Sequence, residues 1–589
     1  MKVEYKNKKL DAVIVGLNLI GIAAVASTFV MLYGFDQPPL PSIWLHSAEI
    51  ILFCFFVTEK LIRYFNAVSK RDFFRLYWFE IPLLGLLFVL FLGAEKWSSG
   101  QIFEWFVQGI SIYLIVQVID KVCRSTVYLA STGHNPARSL ITLFVVLILA
   151  GAGLLMLPRA HEGTINVTDA VFTATSATCV TGLIVKNTGR DFTLFGQIVI
   201  LSLMQLGGLG IVIFGAVLGL LLGQSMTMRE QAALQDLLNE RTLSRISTMV
   251  GFIIVSTLLV EAVGAVCLYP MWDYVPSLVA PERRWFFSIF HSISAFCNAG
   301  FSLMSNSLMD FRSCISVYAV ICPLIILGGL GFAVLYNLAE VSGQRLNRLF
   351  SKKGIYPDVF NLQSPRRLTL QTKVVLTTTL LLIMAGTAGL MLFEACSTSP
   401  QRDPRFLSAL FQSITARTAG FNTIDIAALS PASKLILIIL MCIGGSPGST
   451  AGGIKTVTFA LVVMVIYATL GKRREVEIFR RAVPLVVLGR AVTITVLYAV
   501  MLLAGTLALT ITERGESLPI EDVAFEAASA MGTVGLTTGI TPVLTTAGKW
   551  IIVAMMLIGR LGPMTLLTAL MFNVKPAKYD YPVEPLVVG

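Results

Sequence analysis

One short phrase occurs four times in the chain, and its recurrence constrains the fold more than any other feature. Thr181-Gly182-Leu183, Ala299-Gly300-Phe301, Ala419-Gly420-Phe421 and Val534-Gly535-Leu536 each follow a short, helix-length apolar stretch. After each comes a second glycine cluster: Gly207-Gly208-Leu209-Gly210, Gly328-Gly329-Leu330-Gly331, Gly444-Gly445-Ser446-Pro447-Gly448 and Gly559-Arg560-Leu561-Gly562. The first glycines, at 182, 300, 420 and 535, lie 118, 120 and 115 residues apart, a period that marks a fourfold internal repeat.

A repeat this apolar belongs in a membrane. Of the 589 residues, 55% are hydrophobic and only 13% charged, against about 25% charged in soluble domains, and the mean hydropathy is +0.78. A bilayer core of about 30 Å takes roughly 20 apolar residues per helical span. About twelve such runs are present, four before the first phrase and a pair flanking each phrase. Their length and continuity predict helices rather than a barrel.

The net charge of +11 raises the question of a nucleic-acid partner, and its distribution answers it. With the N-terminus taken as cytoplasmic, 30 of the 45 Lys and Arg fall in cytoplasmic segments, 12 outside, and three (Arg417, Lys455, Arg560) at membrane depth. The densest clusters are residues 345–373, with seven basic side chains, and 472–490, with six. That asymmetry is the positive-inside signature, so no nucleic acid is needed to explain it. The nine cysteines form no C-x-x-C pair, zinc spacing or disulfide framework. Residues 1–35 combine a basic start with Ala24-Val25-Ala26, which resembles a cleavage site, but the apolar run continues to Leu32 and predicts an uncleaved first span.

Spans are predicted at 12–33, 43–62, 78–92 and 106–118, with the basic link Ser69-Lys70-Arg71-Asp72 on the cytoplasmic side. Glu49, Glu59 and Glu80 in the second and third spans give the outline of a voltage-sensing bundle. A voltage sensor needs several arginines at three-residue spacing, because each charge moved yields only about 2.3 kcal/mol per 100 mV. Lys121 and Arg124, at the cytoplasmic end of the fourth span, fall short of that, and a structural bundle with positive-inside anchors is the simpler reading.

From Ser139 each unit reads span, short amphipathic stretch, glycine phrase, span. In the first unit 140–157 and 195–222 are long enough to cross, 168–177 is not, and Thr168-Asp169 offers a helix start. Threonine, β-branched valine and glycine in Thr178-Cys179-Val180-Thr181-Gly182 favour an extended strand. The corresponding short helices are expected at 284–295, 404–415 and 520–530, with Pro281, Pro404 and Pro519 at or just before their starts. A half-helix followed by irregular glycine-containing backbone is a re-entrant loop, tolerated at membrane depth only where it is buried in protein or lines a wet cavity. Two true spans per unit then return every basic linker to one side. The predicted divisions are an N-terminal four-span domain (1–135), pore repeats at 136–225, 246–342, 370–472 and 488–575, and a tail at 576–589.

The expected fold is an all-α polytopic membrane protein, with four span–pore-helix–span repeats in pseudo-fourfold symmetry around one ion pore, preceded by a four-helix membrane bundle. A ring of backbone carbonyls can replace a cation's hydration shell. One glycine per strand permits the φ that exposes those carbonyls, and short helices aimed at the centre by their C-termini add partial negative charge there. A ring of Asp or Glu would instead point to a divalent or less selective site.

Ala174-Thr175-Ser176-Ala177 with Val180-Thr181-Gly182-Leu183, Ser294-Ala295-Phe296-Cys297-Asn298-Ala299-Gly300-Phe301, Thr415-Ala416-Arg417-Thr418-Ala419-Gly420-Phe421-Asn422-Thr423 and Gly532-Thr533-Val534-Gly535-Leu536 resemble the four filters of the Trk/Ktr/HKT superfamily of cation transporters. The segment from Gly444 to Thr456 resembles that superfamily's intramembrane loop, and the likeness covers residues 139–575. It implies K+ as the transported substrate, with Na+ as the alternative, and no covalent cofactor. It further implies a homodimer in the plasma (inner) membrane, in contact with lipid and with its N-terminus cytoplasmic. A cytoplasmic ring of regulatory subunits would bind the pore chain and carry the only nucleotide.

By the same resemblance, ions are held by Cys179, Val180, Thr181, Gly182, Cys297, Asn298, Ala299, Gly300, Arg417, Thr418, Ala419, Gly420, Gly532, Thr533, Val534 and Gly535. The gate consists of Gly444, Gly445, Ser446, Pro447, Gly448, Ser449, Thr450, Ala451, Gly452, Gly453 and Lys455, with Arg560 opposite. In the superfamily, glycine at all four filter positions accompanies K+ selectivity and serine in the first accompanies Na+ preference; all four are glycine here.

Several residues carry two readings. Arg417 either faces ions or, because a cation there would repel K+, anchors its loop from behind. Lys455 either joins the barrier or reaches toward the cytoplasm, and Glu526 is a packing partner or a filter support. Glycines such as Gly207 and Gly328 read as close-packing sites, and Cys179 and Cys297 as small packing residues. His46, His134, His161 and His291 share no site-forming spacing. No convergent nucleophile, base or ligand set supports a membrane-embedded enzyme, while an alternating-access transporter remains a rival because its broken helices look alike in sequence. Ktr-type proteins lack an N-terminal bundle and Trk-type proteins have two extra spans, so four depart from both patterns.

Overall fold

The computed structural model describes residues 6–76, 80, 82–85, 87–89, 105–118, 136–210, 246–274, 279–350, 367–396, 406–473, 475–515 and 518–570. Lys121, Arg124, His134, Pro404, the tail at 576–589 and parts of the expected spans at 78–92 and 195–222 lie outside the described residues, as does most of the basic linker at 345–373. The described chain is helical apart from one small hairpin, in which Glu477–Ile478 pairs antiparallel with Arg481–Ala482.

Five described helices are long and apolar enough to cross a bilayer: Gly16–Tyr33, Ala137–Leu155, Thr248–Tyr274, Leu370–Ala395 and Leu485–Thr512. The last four open the four units. Large apolar side chains remain exposed along them, Leu381 and Leu485 among them, as expected where the solvent is hydrocarbon. The chain is a multi-pass membrane protein.

The second spans of the second and fourth units depart from the expectation of a continuous crossing, and in the first unit the described part of the second span is the helix Leu194–Leu209, capped by Gly210. Val317–Leu330 and Phe332–Arg345 meet at 104°, and Thr546–Leu561 and Pro563–Ala569 at 95°. The cause is the last glycine of the second cluster: Gly210, Gly331 and Gly562 have φ of +84°, +86° and +85°, where an L side chain is strained and a helix stops. In the third unit Pro431–Cys442 and Thr456–Leu470 are separated by a whole loop.

The four short stretches are the helices Val167–Thr178, Arg284–Phe296, Phe406–Thr415 and Ile520–Gly532. The first begins one residue earlier than expected, with Asn166 rather than Thr168 at its N-cap. Asp169 and Asp522, in the first turns of the first and fourth helices, meet Lys549 at 2.8 Å and Lys434 at 2.9 Å. Acids there are favoured by the helix dipole. Each lysine comes from the preceding unit in cyclic order, so the fourth unit is tied to the first. Arg138 Nε closes the same seam by donating to the Ala569 carbonyl at 2.7 Å.

Candidate functional site

The short helices end beside one another, and the glycine phrases that follow form a closed ring. A carbon placed on Gly182 would strike the carbonyl oxygen of Ala299; on Gly300 that of Ala419, at 2.7 Å; on Gly420 that of Val534; and on Gly535 that of Thr181. Each strand therefore abuts the next unit's, and the fourth abuts the first. The glycine φ values are +90°, +70°, +84° and +94°, and two residues earlier Val180, Asn298, Thr418 and Thr533 are also left-handed, at +58°, +58°, +77° and +51°. Left-handed residues at alternate positions take this backbone out of both helix and sheet. The extended strand expected at 178–182 is therefore not formed: Thr178 ends the short helix, Cys179 is right-handed, and Val180 and Gly182 are left-handed, because the tight turn out of the helix overrides the β preference of Val180.

Side chains brace this backbone from behind. Ser176 Oγ donates to the Leu183 carbonyl at 2.7 Å and accepts from the Gly182 N–H at 3.1 Å. Ser294 donates to Phe301 O at 2.8 Å, Thr415 to Phe421 O at 2.7 Å, and Ser529 accepts from the Gly535 N–H at 3.1 Å. These four hydroxyls were missed as functional residues; a Ser or Thr five or six positions before each glycine is the signal that could have found them. Glu526 accepts from Thr537 at 2.9 Å and from Thr541, holding the loop beyond the fourth strand. Cys179, Thr181, Cys297, Ala299, Thr418, Ala419 and Val534 are fully buried and Asn298 and Thr533 nearly so, which leaves backbone as the phrases' main polar surface.

The second clusters pack onto this ring. Added carbons at Gly207, Gly328 and Gly559 would enter the carbonyls of Thr178, Phe296 and Met531, each in the last turn of the preceding short helix. The third cluster differs. Gly444 N–Ile454 O (2.9 Å) and Ile454 N–Cys442 O (3.0 Å) close the base of a loop. Ser446 N bonds Gly329 O at 2.9 Å, Thr450 N bonds Gly328 O at 3.3 Å, and Phe332 N bonds Gly448 O at 3.0 Å. Ser446 Oγ donates to the Leu330 carbonyl and Ser449 Oγ to Ser446 O at 2.6 Å. Pro447, without an N–H, sits in this turn, Gly452 lies against Gly532 and Thr533 of the fourth unit, and Gly453 returns the chain to Cys442 and Gly444 at the loop's base. The loop is thus moored on the break in the second unit and reaches the fourth.

Three cations surround it. Arg560 donates to Thr450 O in the loop and, from its other nitrogen, to Gly207 O and to Gly208 O at 3.3 Å, joining the fourth, third and first units. Lys455 Nζ reaches back to Ala451 O at 2.6 Å rather than away from the loop. Arg417 Nη2 donates to Gly444 O at 3.1 Å, behind its own strand. Beside them lies a polar cluster missed in the sequence: Glu261 accepts from Gln205 Nε2 at 3.3 Å, and the Cys297 thiol lies 3.9 Å from its other oxygen and 3.6 Å from Gln205 Oε1. An acid within an apolar run is the signal that marks Glu261. His291 is enclosed by Phe287 O at 2.8 Å and Ser302 Oγ at 3.1 Å. Among the described residues no group of three His, Cys, Asp or Glu could hold a metal ion.

Residues 104–578 match the family model described as TrkH, cation transport protein. The Ktr system potassium uptake protein B of Bacillus subtilis is 37% identical over 441 residues, 73% of this chain and 92% of that protein. The protein of that name from Vibrio alginolyticus is 36% identical over 465 residues, 78% of this chain and 95% of that one. The potassium/sodium uptake protein NtpJ of Enterococcus hirae is 34% identical over 469 residues, 77% and 97%. The crystal structure of the potassium transporter TrkH from Vibrio parahaemolyticus superposes with a TM-score of 0.57 at 19% identity, covering 84% of this chain and 96% of that one, a likeness of fold. With the family model spanning most of its length and relatives above one-third identity along nearly their whole sequences, the chain belongs to the TrkH cation transport protein family.

Proposed function

We propose that this protein takes up K+ through the ring formed by its four glycine phrases, acting as a selectivity filter. The observation that carries the reading is the closed cyclic order of Gly182, Gly300, Gly420 and Gly535, each set against the next strand's carbonyl with positive φ. Backbone oxygens gathered in this way substitute for water around a monovalent cation without a fixed negative charge. The names of the two Ktr relatives, potassium uptake proteins, support the same ion. Na+ is kept as the second reading because NtpJ is named a potassium/sodium uptake protein.

The loop from Gly444 to Lys455 is the gate in this reading, held closed by Arg560 across three units. The Ktr system of the relatives' names supports a regulatory partner for this chain, and the basic linkers at 345–373 and 472–490, apart from Lys373, Arg480 and Arg481, are candidate contacts for a cytoplasmic nucleotide-binding ring; the pore chain acts as a homodimer in the plasma membrane, N-terminus inside. Transport rather than catalysis is the activity. Ion-replacement flux in proteoliposomes tests it: K+ uptake should persist in excess Na+, and Na+ uptake undiminished by K+ would overturn the assignment. Single-channel recording separates the gated pore from alternating access, since discrete ohmic openings exclude obligate alternation.

A further inference from the structure

An apolar groove of about 450 Å³ opens between Leu370–Ala395, the helix Thr456–Leu470 and the small hairpin. One wall is a single face of the first helix, from Val374 through Thr378 and Leu381 to Ala385; the other carries Phe459 and Val463. From 374 to 385 the groove runs about 16 Å along that helix, the depth of about half a bilayer core. The adjoining Leu380 and Met384 are exposed to hydrocarbon, so a soluble partner cannot enter the upper groove while an acyl chain can.

The mouth is basic and strained. Phe479, which lines it, and Arg480 form the two-residue turn of the hairpin at φ +50° and +62°, a conformation that such turns ordinarily give to Asn-Gly. Strain of this kind persists where surrounding contacts determine it. Lys373 lies 5.9 Å from the Phe479 ring, and Lys373, Arg480 and Arg481 are all exposed around the rim, with Glu477 the one acid lining it. We propose that this groove binds an anionic phospholipid, its acyl chain between the two helices and its phosphate on Lys373, Arg480 and Arg481. Basic pockets between membrane helices on the cytoplasmic side suit such headgroups. Thr456, the first residue of the groove's second helix, is bonded to Gly445 O at 2.9 Å, so a lipid wedged there steadies the helix on which the loop ends. That coupling rests on the gating reading; the binding does not.

Spin-labelled phosphatidylglycerol and phosphatidylcholine, added to the purified full chain in phosphatidylcholine bilayers, test the binding without transport. The immobilised fraction should favour phosphatidylglycerol. Arg480→Gln with Arg481→Gln should reduce that preference about fivefold or more, and Ala460→Phe, which fills the groove, should remove it, both variants keeping the parent's melting temperature. Equal association of the two lipids, or a preference that survives Ala460→Phe, would overturn the proposal. So would loss of the preference on adding inorganic phosphate, which marks a free-anion site, or disulfide linkage of two Val463→Cys chains in a cysteine-free background, which marks a second copy as the occupant. With binding established, K+ flux should depend on phosphatidylglycerol content in the parent and not in the double Gln variant; flux indifferent to lipid would leave the site intact and sink the coupling.

Discussion

A methyl group added to a phrase glycine meets backbone, which has little room to retreat. At Gly300 it would lie 2.7 Å from Ala419 O, on a residue at φ +70°, where left-handed backbone alone costs about 1–2 kcal/mol for an L side chain. Gly300→Ala should therefore cut K+ uptake by about tenfold or more and erase its preference over Na+, read by ion-replacement flux. Arg560 poses the opposite case. Arg560→Ala removes the link from Thr450 O to the Gly207 and Gly208 carbonyls and should raise basal K+ flux, whereas Arg560→Lys, a point charge without the planar fork, should raise it less. Unchanged conductance in reconstituted Arg560→Ala protein would remove the residue from the barrier. The glycines could be read directly because a positive φ narrows the choice of residue type. Their braces could not: Ser176, Ser294, Thr415 and Ser529 are ordinary hydroxyl residues until the geometry shows what they hold. Gln205 and Glu261 belong to different units, and no local spacing joins them.

Helices and their ends account for the next level. Length and apolarity placed the short helices within a residue or two and the spans expected at 12–33, 43–62 and 140–157 within about four, since apolar runs end near the membrane surface. The bends at Gly331 and Gly562 were hidden because a glycine inside an apolar run reads equally as a packing site; only Pro563, next to Gly562, hinted at a stop. The ion pairs Asp169–Lys549 and Asp522–Lys434 were equally invisible, lying 380 and 88 residues apart in sequence. They pin the outer ends of short helices to neighbouring units. Lys549 is 16% exposed and Asp169 9%, so removing one partner strands the other in a poorly hydrated place, at a cost of about 1–3 kcal/mol. Lys549→Met should lower the melting temperature by several degrees, and adding Asp169→Asn should restore part of the loss. Additive effects in that double-mutant cycle would mean the pair does not couple the fourth unit to the first.

The whole molecule divides along its cores. The bundle's apolar cluster is Val25, Phe56, Leu87, Ile110, Tyr113 and Leu114, while the clusters that pack the glycine ring draw, among the described residues, on none before Leu140. The acids that suggested a voltage sensor are paired inside the bundle: Glu49 accepts from Ser111 at 2.8 Å, Glu80 pairs with Lys60 at 2.7 Å, and Glu59 with Arg63 at 2.6 Å. The bundle touches the first unit through the Arg159 N–H on Gly34 O at 3.2 Å, the 3.8 Å pair of Arg159 with Asp36, and the walls of a cavity of about 660 Å³. The ring's closure runs through other groups, Arg138 to Ala569 and Lys549 to Asp169. A chain beginning at residue 136 keeps every one of these closing contacts and all four phrases, so it should insert, and conduct with the parent's K+ to Na+ ratio, even where its melting temperature falls. Flux measured on that chain in proteoliposomes decides the matter. A folded truncation with altered ion preference would show that the bundle shapes the ring, because selectivity built only from the four abutting strands has no way to register the loss of helices outside them.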